Sequence, residues 1–256
     1  PAITPEGTVF AGMRNGVTPG VGQAAAANPY AGYSTLDKTY FTECNPPLYI
    51  MKASEVYFLR AEGAIRGWNM RGEPKDFYEK GIRLAYLEDR HSSRKEYMNY
   101  VEEYLNVDAP KGIPYVDPQG RSKDMQSVTK VGVKWNEGDS QETKLEKIIT
   151  QKYIASFPYS YESWVDLRRV GYPKLFPILG SRHGDGSIKL GNTKVQSKDN
   201  IMRRIPWASD DPQTKTDIAN SGLPALARDA DMGVARDIQM QRLWWDNGKS
   251  NFETAE

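Results

Sequence analysis

Residues 52–68, KASEVYFLRAEGAIRGW, and residues 74–90, PKDFYEKGIRLAYLEDR, decide the fold class of this 256-residue chain. In the first stretch Tyr57, Ala61, Ala64, Ile65 and Trp68 recur at helical spacing, and Val56, Leu59 and Gly63 widen the stripe. That spacing predicts a helix with a buried face. Ala61, Gly63, Ala64 and Gly67 carry little or no side chain, so a second helix can approach closely. In the second stretch Pro74 follows a glycine-containing turn and suits the first helical position, whose N–H has no intrahelical partner in any case. The second helix is expected to fold back on the first.

The pair reads as one degenerate tetratricopeptide-type hairpin, with Ala61 and Ala64 on the first helix and Tyr78-Glu79-Lys80-Gly81-Ile82 on the second. No second copy follows at the expected spacing, so the hairpin must pack on something other than a stacked repeat. Downstream, Tyr97, Tyr100, Val101, Tyr104 and Leu105 predict a helix over 94–105, and a short strand is expected at 130–135. Asp139-Ser140-Gln141-Glu142 has the form of a capping box, with Asp139 as cap and Glu142 reaching back. It opens TKLEKIITQKYIASF, where Leu145, Ile148, Ile149 and Lys152 share a stripe and Lys152 can bury its stem; Pro158 stops the helix. Ser160 is expected to cap YESWVDLRRV, with Trp164 and Leu167 inward, Asp166 and Arg169 pairing with neighbours, and Gly171 as terminator. A late helix is expected near 213–221. Residues 1–47 are rich in Gly, Ala, Pro, Asn and Thr with no sustained apolar period, and read as a long loop. The expected class is mainly α, a helical hairpin scaffold with long irregular loops and little β.

Composition narrows the function. Thirty-four Lys and Arg against 33 Asp and Glu leave a net charge of +1, which recruits neither nucleic acid nor an anionic membrane. One cysteine, Cys44, and two histidines, His91 and His183, exclude a Cys-rich zinc site, a disulfide framework and a Cys-x-x-Cys pair within the chain. No metal site and no cofactor is expected. No apolar run approaches the roughly 20 residues needed to span a bilayer. Fifteen Tyr and 6 Trp against 7 Phe favour rings with polar tips, which suit surfaces that bind something wet.

No constellation carries catalysis. The turn Ser181-Arg182-His183-Gly184-Asp185-Gly186 places a hydroxyl, an imidazole and an acid close in sequence, but triads are assembled from distant segments. Asp210-Asp211 and Asp229–Asp231 read as solvated loop acids, and neither MRNGVTPGVG nor HGDGSIKLG has a phosphate-loop or dinucleotide pattern. Catalytic residues are therefore none. The aromatic residues are the sharper signal, because rings stack on the C–H faces of sugars while neighbouring polar groups hydrogen-bond them. Trp164, Trp244 and Trp245 lie beside apolar residues and read as packing. Tyr30, Tyr33 and Tyr40 on the N-terminal loop and Trp68 at the hairpin turn are the stacking candidates, with Arg14 and Asn69 as polar ones. Loops on a rigid helical scaffold are where binding residues usually lie.

LYIMKASEVYFLRAEGAIRGWNMRG, then FYEKGIRLAY, LEKIITQKYIASFPYSYESWVDLRRVGYPKLFP, RRIPW and RLWWD occur in an order and spacing that resembles the SusD/RagB family of Bacteroidota outer-membrane lipoproteins. The similarity lies with the C-terminal portion of the SusD-like branch and covers residues 48–246 of a single SusD-like domain, with 1–47 as its loop-rich lead-in. It implies a non-enzymatic, surface-located protein that binds glycans, or in some members peptides, and delivers them to a SusC-like TonB-dependent transporter. It also implies that Trp164, Asp166, Arg168 and Arg169 are packing and ion-pair residues. Cys44 does not match a lipid-attachment cysteine, so the only membrane tether expected is a lipid anchor absent from this chain. Two rival readings are a helical carbohydrate-active enzyme, which needs an acid pair in a ring-lined cleft, and a tetratricopeptide-type peptide-binding adaptor, which needs further hairpins and a concave groove.

Overall fold

The computed structural model describes residues 12, 33–34, 49–88, 100–110, 112–117, 124–158, 161–176, 202–207, 211–229, 235–239, 241–243, 245 and 250–252. Among these the regular structure is helical: α1 (Ala53–Ile65), α2 (Pro74–Glu88), α3 (Val101–Leu105), α4 (Gln141–Ser156), α5 (Tyr161–Val170), α6 (Pro212–Asp217) and α7 (Leu223–Asp229). A π-helical turn at Ile218–Gly222 joins α6 to α7, so the helix expected near 213–221 runs on to Asp229. The mainly α class holds. β structure among the described residues is a lone antiparallel bridge between Tyr115 and Met125.

The hairpin forms because Gly81 of α2 leaves room for a ring. A Cβ there would lie 2.8 Å from Cε1 of Phe58, whose side chain is fully buried. Phe58, not Tyr57 or Trp68, is thus the centre of the α1 core face, with Ala61 and Ile65 continuing it. The expected stripe was rotated by about one residue: Val56 and Leu59 are exposed, at 40% and 39%. Strongly apolar residues all round α1 blur the periodicity, so only the partner helix selects the inner face.

Opposite charges at the helix ends close the frame. The free amide of Ser54 in the first turn of α1 donates to Glu88 Oε1 at 2.9 Å, and its hydroxyl to Oε2 at 2.5 Å. Glu88 at the end of α2 therefore caps α1, where a carboxylate also meets the positive end of the helix dipole. Lys52 Nζ donates to the carbonyl of Ala155 at 2.7 Å, satisfying an orphan acceptor at the end of α4.

α4 packs across the hairpin through Leu145, Ile148 and Ile149, all at most 1% exposed. Its cap is Ser140, whose Oγ accepts from Thr143 N at 3.1 Å. The expected capping box is not made: Asp139 pairs with Lys147 at 2.6 Å and Glu142 accepts from Tyr172 at 2.7 Å. Both acids are drawn to tertiary partners that a local pattern cannot reveal. The expected strand at 130–135 is also absent. Its Val133 and Lys134 amides both go to the Val107 carbonyl, while Val133 and Trp135 enter the core and Tyr78 Oη donates to the Val133 carbonyl at 2.7 Å. Of the helix expected over 94–105, the described part is α3, preceded by Tyr100, with Val101 and Leu105 buried and Tyr100 exposed. Gly171, at φ 80°, ends α5 as expected. Ser160 lies outside the described residues.

Candidate functional site

The hairpin turn is built so that one indole is presented to solvent from a hydrogen-bonded backbone. α1 ends in a Schellman motif: Trp68 N–H donates to the Gly63 carbonyl at 3.0 Å and Gly67 N–H to the Ala64 carbonyl at 3.0 Å. Gly67 sits at φ 80°, a conformation that favours glycine. Met70 N–H then donates to the Trp68 carbonyl at 2.9 Å, Arg60 Nη2 to the Met70 carbonyl at 3.0 Å, and Arg71 N–H to Asn69 Oδ1 at 3.2 Å. Trp68 is 62% exposed. Among the described tryptophans it alone has no ring partner and no side-chain hydrogen bond. Trp135 donates to Glu137 and meets Tyr78, Trp164 donates to the Met202 carbonyl, Trp207 lies against Arg204, and Trp245 against Arg168.

Trp68 lines a cleft of about 880 Å³ between α1 and α5, whose wall also includes Trp245, Ser250 and Asn251. Asn251 pins that wall by donating to Glu142 Oε1 at 2.6 Å and to the Val170 carbonyl at 3.1 Å, and its own carbonyl accepts from Arg66 Nη1 at 2.7 Å. Trp245 is held through Arg168, whose guanidinium lies 3.7 Å from the Trp164 ring centre and 5.3 Å from that of Trp245. Such cation–π contacts strengthen where water is excluded. Arg168 also donates to the Arg203 carbonyl, tying α5 to the RRIPW segment.

The cleft floor is a ladder of charges. Lys152 pairs with Asp166 at 2.9 Å and with Glu55 at 3.4 Å, Arg169 with Asp166 at 2.9 Å, and Glu62 takes Arg169 Nη2 at 2.8 Å and Arg66 Nε at 2.9 Å. Burial by itself would raise the Glu62 carboxyl, but the bonds from Arg169 and then Arg66 outweigh it and hold it below the ordinary carboxylate range. Burial by itself would likewise lower Arg169, and Glu62 and Asp166 outweigh that and raise it. Three carboxylates face three cations, so the ladder is neutral and mutually satisfied. Trp164, Asp166, Arg168 and Arg169 are therefore the packing and ion-pair residues that the sequence implied.

Of the six expected ligand contacts, Trp68 and Asn69 share the exposed turn. Tyr33 does not join them, being 8% exposed with its hydroxyl donating to Asp117 Oδ1 at 2.6 Å. Tyr30, Tyr40 and Arg14 lie outside the described residues, as does Cys44. Sequence reasoning missed Trp245 and Asn251 at the cleft; the RLWWD aromatic pair was the available signal, and nothing marked Asn251. Among the described residues no group of three His, Cys, Asp or Glu could hold a metal ion, and no helix is long and apolar enough to cross a membrane.

Among the described residues the fold is a helical scaffold built on one hairpin, with a ring-bearing turn and a neutral ladder of ion pairs. The chain belongs to the SusD-like family, described as Susd and RagB outer membrane lipoprotein, which it matches over residues 2–246. That family places it at the outer membrane. Among solved structures it is similar to a chitin-binding SusD homologue from Flavobacterium johnsoniae, at 35% identity and a TM-score of 0.64 over 80% of this chain and 38% of that one. It is similar to a SusD homologue from Bacteroides thetaiotaomicron at 37% identity and a TM-score of 0.62, covering 80% of this chain and 40% of that one. A homologue from Bacteroides vulgatus gives 30% identity and a TM-score of 0.68 over 87% and 40%. The chain thus spans about two fifths of the length of these relatives. No curated protein matches it.

Proposed function

We propose that this chain is part of a non-catalytic surface protein that binds a glycan and delivers it to a SusC-like TonB-dependent transporter. The observation that carries the reading is Trp68, a bare indole on a hydrogen-bonded turn, in a chain of the SusD-like family of outer membrane lipoproteins. A flat apolar ring with a polar edge, presented from a hydrogen-bonded backbone, suits the C–H face of a pyranose, and Asn69 beside it supplies amide donors. Tyr30, Tyr40 and Arg14 are the further contacts we assign to the same surface. The neutral ladder favours binding over chemistry, because every buried acid in it is already paired.

The test is the affinity of the wild type and Trp68→Ala for a panel of soluble oligosaccharides, chito-oligosaccharides included, with thermal melting measured on the same samples. Losing a stacking ring should weaken binding by about 1–3 kcal/mol, by analogy with bases stacked on aromatic rings, while melting stays unchanged. Unaltered affinity in Trp68→Ala, or release of reducing sugar that a single carboxylate substitution abolishes, would refute it.

A further inference from the structure

We infer that the glycan is an acidic one, whose carboxylate or sulfate groups lie along a strip of positive charge, Lys80, Arg60 and Arg71, that leads to the Trp68 turn. Six cations stand between residues 53 and 88. Arg66, Lys75 and Arg83 are paired with carboxylates at 2.9, 3.9 and 2.8 Å. Lys80, Arg60 and Arg71 make no ion pair among the described residues, and Glu73 and Asp76, the exposed acids at the entrance to α2, pair with none of the three. These cations share one flank of the hairpin. The Arg60 guanidinium lies 3.9 Å from the Phe77 ring centre and 5.4 Å from that of Tyr57, and Lys80 Nζ lies 4.8 Å from the Tyr57 centre. Arg60 Nη2 donates to the Met70 carbonyl at 3.0 Å, which joins the flank to the turn immediately before Arg71.

Two observations give the strip an outward role. Arg71 sits at φ 58°, a backbone conformation that suits Gly or Asn and costs an arginine energy. Its side chain is exposed and makes no hydrogen bond, ion pair or ring contact, so nothing inside the fold offsets that cost. Strain held at an exposed turn without an internal return points to a ligand. The second observation is the field on the flank itself. The Lys80 ammonium acts first, against burial and together with Arg60, to hold the Tyr57 phenol below its ordinary value. Ammonium and guanidinium groups that lack a carboxylate of their own bind sugar carboxylates and sulfates through charge-assisted hydrogen bonds, which neutral sugars cannot match. The net charge of +1 conceals this strip, because the acids that balance it lie elsewhere on the chain. The inference rests on the glycan binding proposed above and narrows its substrate class.

Calorimetric titration tests it with four probes of similar length: oligogalacturonate, which carries carboxylates, carrageenan oligosaccharide, which carries sulfates, neutral chito-oligosaccharide, and poly-glutamate as an acidic polypeptide. An exposed charge contact is worth about 1.5- to 5-fold, so three together should favour an acidic sugar over the neutral one by about tenfold at low salt. The tighter of the two acidic sugars identifies the acid. The preference should shrink as salt is raised, since exposed charges are screened. In Lys80→Gln and Arg71→Gln made together, the ratio of acidic to neutral affinity should fall to about twofold, while Lys75→Gln, whose cation is paired with Glu79, leaves the ratio at its wild-type value. Melting curves identify a double variant that unfolds, and Lys80→Glu alone then decides by the same ratio. Equal affinity for acidic and neutral sugars in the wild type would overturn the inference and leave glycan binding standing, as would a ratio that the strip variants do not move. Poly-glutamate bound as tightly as the acidic sugars would overturn it by assigning the strip to a polypeptide. Failure of every sugar to bind would remove both the inference and the glycan reading beneath it.

Discussion

Glu62→Gln should cost about 2 kcal/mol of folding stability, and the figure follows from the ladder. Glu62 is 5% exposed and takes Arg169 Nη2 at 2.8 Å and Arg66 Nε at 2.9 Å. Glutamine keeps the shape but removes the charge and turns one acceptor into a donor facing a guanidinium. Removing one partner of a fully buried pair costs about 3–5 kcal/mol. Here the loss is smaller, because Arg169 keeps 36% of its side chain in water and retains Asp166 at 2.9 Å, while Arg66 retains the Asn251 carbonyl at 2.7 Å. Urea denaturation of residues 1–256 at pH 7 measures it as a lower midpoint at unchanged slope. In an Arg169→Met background the same substitution should cost less by about 1 kcal/mol, because the two residues are coupled. A loss under about 0.5 kcal/mol, or the same loss in both backgrounds, would refute the ladder as a determinant of stability. The pH dependence has a fixed sign. Glu62 is held below its ordinary value in the fold, so its contribution is complete above the unfolded carboxyl value near 4.5 and disappears as pH falls through the folded value. The wild type should lose stability more steeply than Glu62→Gln as pH drops below about 4.5.

Gly67→Ala should destabilise by about 1–2 kcal/mol from backbone conformation alone, since Gly67 sits at φ 80° and a Cβ there would meet nothing within 4 Å. Thermal melting measures it, and glycan affinity should fall alongside if the turn is what aims Trp68. Ser140→Ala should cost about 1 kcal/mol by loss of the α4 cap, read by urea denaturation, whereas Asp139→Ala should act through the Lys147 pair and respond to salt.

The helical class and the order of elements were legible from spacing and punctuation, because a 3.6-residue period, Pro74 at a helix start and Gly171 at a helix end are local properties of the chain. So were the burial of the Lys152 stem and the pairing of Asp166 and Arg169 with neighbours, though which partners they take was not. The inner face of α1 was not, since Phe58 is selected by the absence of a side chain at Gly81, 23 positions away. The cap of α4 went to Ser140 because Asp139 and Glu142 have stronger partners in Lys147 and Tyr172. Trp68 could be singled out as a ring on a turn, but that its indole alone among the described tryptophans is bare depends on where Arg168 and Arg204 lie. The sequence by itself determined a mainly helical chain of near-zero net charge and its family. Tertiary structure decided which face is core, which acids cap or pair, and which ring remains open, because each choice is a competition between residues that only the folded chain brings into contact.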